Sequence, residues 1–323
     1  MADAENPLGG VAYSLENVKY PFTIKEHDWD DYAVYRPIYP DSMWATWLRY
    51  HTAHGGLLDA AHDVGTGSGT VAKELSRFFS HVHASDPGKS NIVAAHRLLQ
   101  PAANFTLHQA PAEKVMLKDS SVDFSSLCMA LHWMDAEVVL ENLARSLRPG
   151  GTLAICAYSF LINFPSCEQL KKLWSRNLKD AVRGFIDSGS IGPDELRGMR
   201  KFIVGLDGVA VPDEFFGDVV RLQVNIRRDE SRPFCFAPDD QFELPGHQIK
   251  ASEEVRHLDD SGWRREADVE WLKGYLASSN MPFNNKTWKS AQWVELERVI
   301  NQELGGKVVV EWPVAMILAT RKY

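Results

Sequence analysis

From about residue 57 to residue 158, short β-rich apolar runs alternate with longer stretches of helical periodicity. The runs are 57–64, 80–86, 104–109, 122–130 and 151–158. Strands that alternate with helical segments make βαβ units, and these predict a parallel sheet with its ligand at the carboxyl ends of the strands. Pro149-Gly150-Gly151 ends the helical segment 136–148 and opens the run from Thr152 to Tyr158.

After Tyr158 the alternation stops for roughly a hundred residues. Helical stretches at 166–186 and 194–205 mix there with a β-like run, Val219–Ile226, and with a polar, Pro- and Gly-bearing stretch at 229–262. Such a region reads as a lid or insertion. Helical segments 268–278 and 287–303 follow, then Gly305-Gly306 and a closing apolar run from Val308 to Ala319, a buried strand with a bend expected at Pro313. The division this predicts is a cap segment 1–50, a cofactor-binding core 51–160, a lid 161–262 over the substrate site, and a C-terminal part 263–323 that completes the core sheet.

Composition narrows the classes. With 323 residues, 45% of them hydrophobic and 24% charged, the chain has the make-up of a globular protein with a large core. Its 35 Lys and Arg against 43 Asp and Glu leave a net charge of -8, which argues against a non-specific nucleic-acid or anionic-membrane binder and for a small-molecule partner. Cys128, Cys156, Cys167 and Cys235 form no C-x-x-C pair and read as buried thiols. No run approaches the roughly 18 apolar residues of a membrane span, and the first residues lack a secretory pattern, so a cytosolic location is expected.

The candidate chemistry sits at the end of the first run, His62-Asp63-Val64-Gly65-Thr66-Gly67-Ser68-Gly69. A loop whose alternate residues lack Cβ lets a ligand lie against the backbone, and the unpaired amides of a following helix add donors. The dinucleotide fingerprint G-x-G-x-x-G would need glycine where Thr70 stands, which weakens a nicotinamide reading without removing it. Asp86 closes the second run, where a carboxylate can accept hydrogen bonds from ribose hydroxyls. A phosphate-binding loop is excluded at Gly88-Lys89-Ser90, because His83 stands where its first glycine belongs.

Four segments in order, Asp63-Val64-Gly65-Thr66-Gly67-Ser68-Gly69, Ser85-Asp86-Pro87, Ala130-Leu131-His132-Trp133-Met134-Asp135 and Leu147-Arg148-Pro149-Gly150-Gly151-Thr152-Leu153, resemble the motifs of class I S-adenosylmethionine-dependent methyltransferases. Outside them, Tyr32-x-x-x-Arg36-Pro37-x-Tyr39-Pro40, Val269-Glu270-Trp271-Leu272-Lys273-Gly274 and the ending from Trp312-Pro313 resemble the trans-aconitate methyltransferase group and fungal small-molecule methyltransferases of secondary metabolism. The resemblance implies a Rossmann-like α/β fold, a mostly parallel seven-stranded sheet with helices on both faces and a helical lid. It implies S-adenosyl-L-methionine as cofactor, held by Asp63, Gly65, Thr66 and Gly67 at the methionine end and by Asp86 at the ribose, with Pro87, Ala112 and Glu113 near the adenine. Ala130, Leu131 and His132 would wall the cofactor beneath its sulfonium, and Tyr32 and Arg36 would close over it. Arg36 is then a candidate partner for the cofactor's carboxylate.

Methyl transfer from a sulfonium is an in-line displacement that needs alignment and exclusion of water rather than a metal or a covalent intermediate. The expected reaction is transfer to an oxygen or sulfur nucleophile, a carboxylate, thiol or hydroxyl, of a small molecule. Trp133, Tyr158 and Trp271 are candidate substrate-binding aromatics, and His132 and Tyr32 candidate catalytic groups. His81-x-His83 and His51-x-x-His54 lack a third ligand at metal spacing, so no metal is expected. Arginines such as Arg197, Arg200, Arg227 and Arg228 make a solvated face or, in part, a site for an acidic substrate. A monomer or weak homodimer is expected. Two alternatives stay open: a nicotinamide-dependent oxidoreductase, and a cofactor-binding member that transfers no methyl group.

Overall fold

The computed structural model describes residues 29–100, 103–115, 117–189, 191–228, 230, 232–237, 246–279, 281, 283 and 285–323. Most of the expected cap segment, and part of the polar stretch after residue 228, lie outside the described residues. Two helices open the described chain, α1 (Trp29–Tyr35) and α2 (Asp41–Ala53). The expected alternation then follows as β1 (Ala60–Val64), α3 (Thr70–Leu75), β2 (His81–Asp86), α4 (Lys89–Leu99), β3 (Phe105–Gln109), β4 (Val122–Cys128), α5 (Ala136–Ser146) and β5 (Leu147–Tyr158). Strands β1 to β5 pair in parallel in the order β3-β2-β1-β4-β5. This order reverses between β1 and β4, and an open α/β sheet binds ligands at such a reversal.

Strand β4 is buried along its whole length although it reads Val-Asp-Phe-Ser-Ser-Leu-Cys. Its polar residues are consumed by the sheet. The Asp123 carboxylate accepts from the Asp59 and Ala60 amides at 3.1 and 2.9 Å and pairs with Arg148 at 2.5 Å. Ser126 Oγ donates to Asp63 on the next strand at 2.9 Å. These partners offset the cost of removing polar groups from water. The turn Pro149-Gly150-Gly151 does not precede β5 but interrupts it: Val122 faces Leu147 and Phe124 faces Thr152, so the turn is an irregularity inside the strand, with Gly150 at φ +81°.

The sheet has eight strands, not the seven expected. Helices α6 (Glu168–Asp187) and α7 (Pro193–Phe202) follow β5, and then β6 (Phe216–Val224) and β7 (Glu254–Leu258) join the sheet edge. The segment 161–262 is therefore not a lid throughout, since it supplies two strands of the main sheet. The eighth strand, β7, is exposed at every position, and an edge strand without an apolar face has no periodicity to betray it. The closing apolar run divides at Trp312-Pro313. β9 (Val308–Glu311) pairs with β8 (Arg264–Ala267) in a separate ribbon, and β10 (Val314–Arg321) lies antiparallel between β5 and β6. Between them, α8 (Val269–Ala277) packs Trp271, Leu272 and Tyr275 into the core. Among the described residues no helix is long and apolar enough to cross a membrane.

Candidate active site

The loop after β1 turns at Gly65, Gly67 and Gly69, whose φ values of +70°, +55° and +88° fall in the left-handed region that glycine alone enters freely. At Gly65 the approach is also steric, because a Cβ there would lie 2.6 Å from the Ala130 Cβ. The loop thus packs against the segment after β4 with only the Ala130 methyl and the tip of Met134 between them. Asp86, at the end of β2, is 5% exposed. Its Oδ2 accepts from the Gly67 amide at 3.0 Å, and its Oδ1 accepts from the Gly88 amide and Asn91 Nδ2, both at 2.8 Å. Burial raises its pKa, and those hydrogen bonds oppose the rise. Asp63 is more strongly affected: burial pushes it up to about 6, against the hydrogen bonds donated by Thr66 Oγ1 at 2.6 Å and Ser126 Oγ at 2.9 Å.

These groups face a cavity of about 500 Å3 at the strand ends. Of the residues singled out from the sequence, Tyr32, Arg36, Asp63, Gly65, Thr66, Gly67, Asp86, Pro87, Ala112, Ala130, Trp133 and Tyr158 all line it. Four do not. Glu113 accepts a hydrogen bond from the Asp135 amide at 2.8 Å and so anchors the start of α5 rather than facing the cavity. Leu131 and His132 face other spaces, described next. Trp271, expected at the substrate, lines none of the three cavities; it stacks on Tyr275 with ring centroids 5.4 Å apart, and the Arg265 guanidinium lies over its ring at 4.3 Å. It is a core residue. Tyr158 belongs to the first cavity and is absent from the second.

A smaller chamber of about 100 Å3 adjoins the first cavity and shares Tyr32, Arg36, Met129 and Trp133 with it. Its other walls are mainly apolar and aromatic, with Phe160, Phe185, Phe202 and Phe236 among them. A third cavity, of about 240 Å3, lies beyond, and both Leu131 and His132 line it. His132 faces the second and third spaces together. Burial, with a smaller contribution from the Lys201 cation, lowers its pKa to about 3, so its imidazole is neutral at physiological pH.

Arg36 is the cation at the junction of the first two spaces and is 6% exposed. Its guanidinium lies over the rings of Tyr32 at 4.6 Å and Phe160 at 5.0 Å, and its Nη2 donates to the Ser278 carbonyl at 2.6 Å. Burial works against its charge, yet the surrounding phenols of Tyr32, Tyr158 and Tyr275 leave its pKa above the ordinary value. Its Nε is buried without a hydrogen-bond partner, and among the described residues no carboxylate pairs with it. A buried, unpaired cation is costly unless an anion arrives to meet it.

Residues 62–155 match the family described as a methyltransferase domain. A methyltransferase of Claviceps purpurea is 29% identical over 305 residues, 93% of each chain, and the methyltransferase gedG of Aspergillus terreus is 25% identical over 99% of this chain and 98% of its own. This chain is an S-adenosylmethionine-dependent methyltransferase. A solved structure of a proposed type II methyltransferase from Anaeromyxobacter dehalogenans, 20% identical, superposes with a TM-score of 0.54 over 88% of this chain and 97% of that one, and so shows the fold. The nicotinamide alternative is set aside by these relations. S-adenosyl-L-methionine is the methyltransferase's cofactor, and its acceptors are small molecules.

Several residues around this methyltransferase's cavities gave no signal in the sequence. Asn91 locks Asp86 from one turn into α4, a position set by the strand-to-helix turn rather than by a motif. Met129 lines all three cavities with φ +54°, its amide bonded to the Cys156 carbonyl at 2.9 Å and its sulfur accepting from the Tyr158 amide at 3.2 Å. A left-handed non-glycine residue is uncommon and clusters at functional sites. Phe160, Phe202 and Phe236 converge from segments far apart in the chain, which only the fold reveals.

Proposed function

We propose that the enzyme transfers its methyl group to an oxygen or sulfur nucleophile of a small molecule, with the cofactor in the first cavity and the acceptor in the second. The observation that carries this reading is the junction itself: a cavity with a buried carboxylate at its ribose end opens into an aromatic chamber at Tyr32, Arg36, Met129 and Trp133. The cofactor supplies an electrophilic methyl on a sulfonium. Asp86, fixed by Gly67, Gly88 and Asn91, holds the ribose hydroxyls, with Pro87 and Ala112 at the adenine. Asp63, Gly65, Thr66 and Gly67 hold the methionine end, and the unsatisfied Nε of Arg36 fits a carboxylate there.

On the acceptor side the protein supplies alignment and a dry surface. Aromatic faces tolerate the sulfonium charge and exclude water, and Tyr32 and Trp133 stand at the junction for that role. Holding the reactants in register contributes roughly 7–11 kcal/mol in favourable cases. His132, with its pKa near 3, is too weak a base to deprotonate an alcohol efficiently at neutral pH; it orients the acceptor through a hydrogen bond. That favours a nucleophile that ionises by itself, such as a carboxylate, an acidic phenol or a thiol. Helices α6 and α7, which carry Phe185, Met199 and Phe202 to the chamber, form the lid.

Replacing Asp86 tests the site. Asp86→Ala is expected to weaken S-adenosylhomocysteine binding by about 100-fold or more, measured by calorimetry, since two charge-assisted hydrogen bonds to ribose are lost. Unchanged affinity would overturn the assignment. Incubation with labelled S-adenosylmethionine and cell extract, followed by mass identification of the product, then names the nucleophile, because a methyl ester, an ether and a thioether differ in their lability to base.

A further inference from the structure

The third cavity has no part in the reading above, yet it is the larger of the two that adjoin the acceptor's reacting end, about 240 Å3 against about 100 Å3. The chamber at the junction is equal to little more than three waters at about 30 Å3 each, whereas small-molecule pockets run to roughly 300–1,000 Å3. Alone it is too small for any but the least of acceptors. Taken with the space behind it, it reaches the lower end of that range.

The two are separated by little. They share Met129, His132 and Phe202, and the rings of His132 and Phe202 stand with centroids 5.0 Å apart. Met129 is a fixed post, bonded through its amide and its sulfur. The other two close the passage with their rings: Phe202, the last residue of α7, packs on Phe160 and Phe236, and His132 packs on Trp133 with no hydrogen bond to hold its imidazole among the described residues, so the way through opens by a turn of these two rings. Beyond them the walls include Ile155, Ala157 and Leu206, with Lys201 as the cation, its Nζ donating to the Met134 carbonyl at 2.7 Å. A flat, apolar body with a polar group at its far end suits that lining.

We propose that the acceptor site runs past Met129, His132 and Phe202 into the third cavity, so that the enzyme takes an elongated, flat acceptor of at least two rings. The nucleophile stays at Trp133, the body passes between His132 and Phe202, and the far end lies beside Lys201. This rests on the second chamber being the acceptor site. Val204 lines only the third of the three cavities and is half-buried, so Val204→Trp fills the extension from its outer side.

The test uses the enzyme saturated with S-adenosylhomocysteine and two probes, salicylic acid with one ring and 1-hydroxyanthraquinone-2-carboxylic acid with three, each titrated by calorimetry. The three-ring acid is expected to bind about tenfold tighter or better than the one-ring acid. Val204→Trp abolishes that advantage while the affinities for salicylic acid and S-adenosylhomocysteine stay within about twofold, and Phe202→Ala preserves it. The proposal is overturned if the three-ring acid binds no better than salicylic acid, or if Val204→Trp leaves its affinity unchanged or weakens both acids alike. Failure of S-adenosylhomocysteine to bind would instead strike at the cofactor assignment, and failure of both acids at the second chamber as acceptor site, whereas absence of the three-ring acid's advantage alone strikes at the extension.

Discussion

Between Ala60 and Asp86 the first cavity is met by strand ends, glycine backbone and the buried carboxylates of Asp63 and Asp86, each held by hydrogen bonds from its neighbours, whereas from Phe160 to Met281 the chamber walls are side chains carried by helices and connections. The first kind of surface cannot change without changing the backbone. At Gly65 even one carbon more would press on Ala130. The second kind varies one side chain at a time while the sheet stays as it is. A fold built this way keeps one cofactor and leaves the acceptor to be re-chosen, which is how a common architecture serves many substrates.

If the two halves are as separate as that, damage to one should spare the other. Arg221 on β6 is 3% exposed, pairs with the equally buried Glu253, and donates to the Leu206 and Val209 carbonyls at 2.7 and 2.8 Å. It holds the segment that walls the third cavity against the sheet. Arg221→Met leaves the Glu253 charge buried and is expected to cost about 3–5 kcal/mol in urea unfolding, with S-adenosylhomocysteine affinity of the folded protein unchanged. A parallel loss of affinity would break the distinction.

The cofactor half has its own sensitivity, to acid. His62, His83 and His108 stand on neighbouring strands, with His83 Nδ1 and His108 Nε2 3.1 Å apart. His62 is 2% exposed, and burial, aided by the other two imidazoles, lowers its pKa to about 3. The unfolded chain binds a proton there below pH about 6.5 and the folded one does not, so stability is lost as pH falls through 6.5, at about 1.4 kcal/mol per pH unit. Asp63, raised to about 6, acts in the opposite direction over part of that range, since the folded state then holds its proton more tightly. The comparison that isolates the histidine is therefore between variants. Between pH 7 and 5 the wild type should lose about 2 kcal/mol more stability than His62→Gln; equal losses would show that the imidazole is already solvated.

The smallest effects separate two tryptophans that look alike in the sequence. Trp133→Leu should raise the KM for the acceptor about tenfold with little change in melting temperature. Trp271→Leu should lower stability by about 2 kcal/mol and leave KM unmoved. Reversal of the pair would return Trp271 to the substrate.

Strands β1 to β4 were legible because short β-prone runs recur between helical segments, and the ends of β1 and β2 carry the glycines and Asp86. β7 was not, since Glu254-Val255-Arg256-His257-Leu258 is exposed throughout and is placed by pairing with β6 alone. The closing run looked continuous because hydrophobicity reports burial, not which sheet does the burying; Pro313 marks the point where the chain leaves one sheet for the other. In the site, residues that act through backbone were readable, and those that act through tertiary convergence, Asn91, Met129 and Phe202, were not. Trp271 misled for the converse reason, since an aromatic in a helix looks the same whether it faces a ligand or Tyr275.

Met129 is the one residue common to all three cavities, and it is pinned at both its amide and its sulfur. A wall with a different space on each side makes the occupants of those spaces thermodynamically dependent: whatever one guest does to that wall is felt by the next, and by linkage the influence is mutual. A longer or shorter residue there would alter the walls of all three spaces at once, and so change the factor by which one guest shifts the affinity of the next.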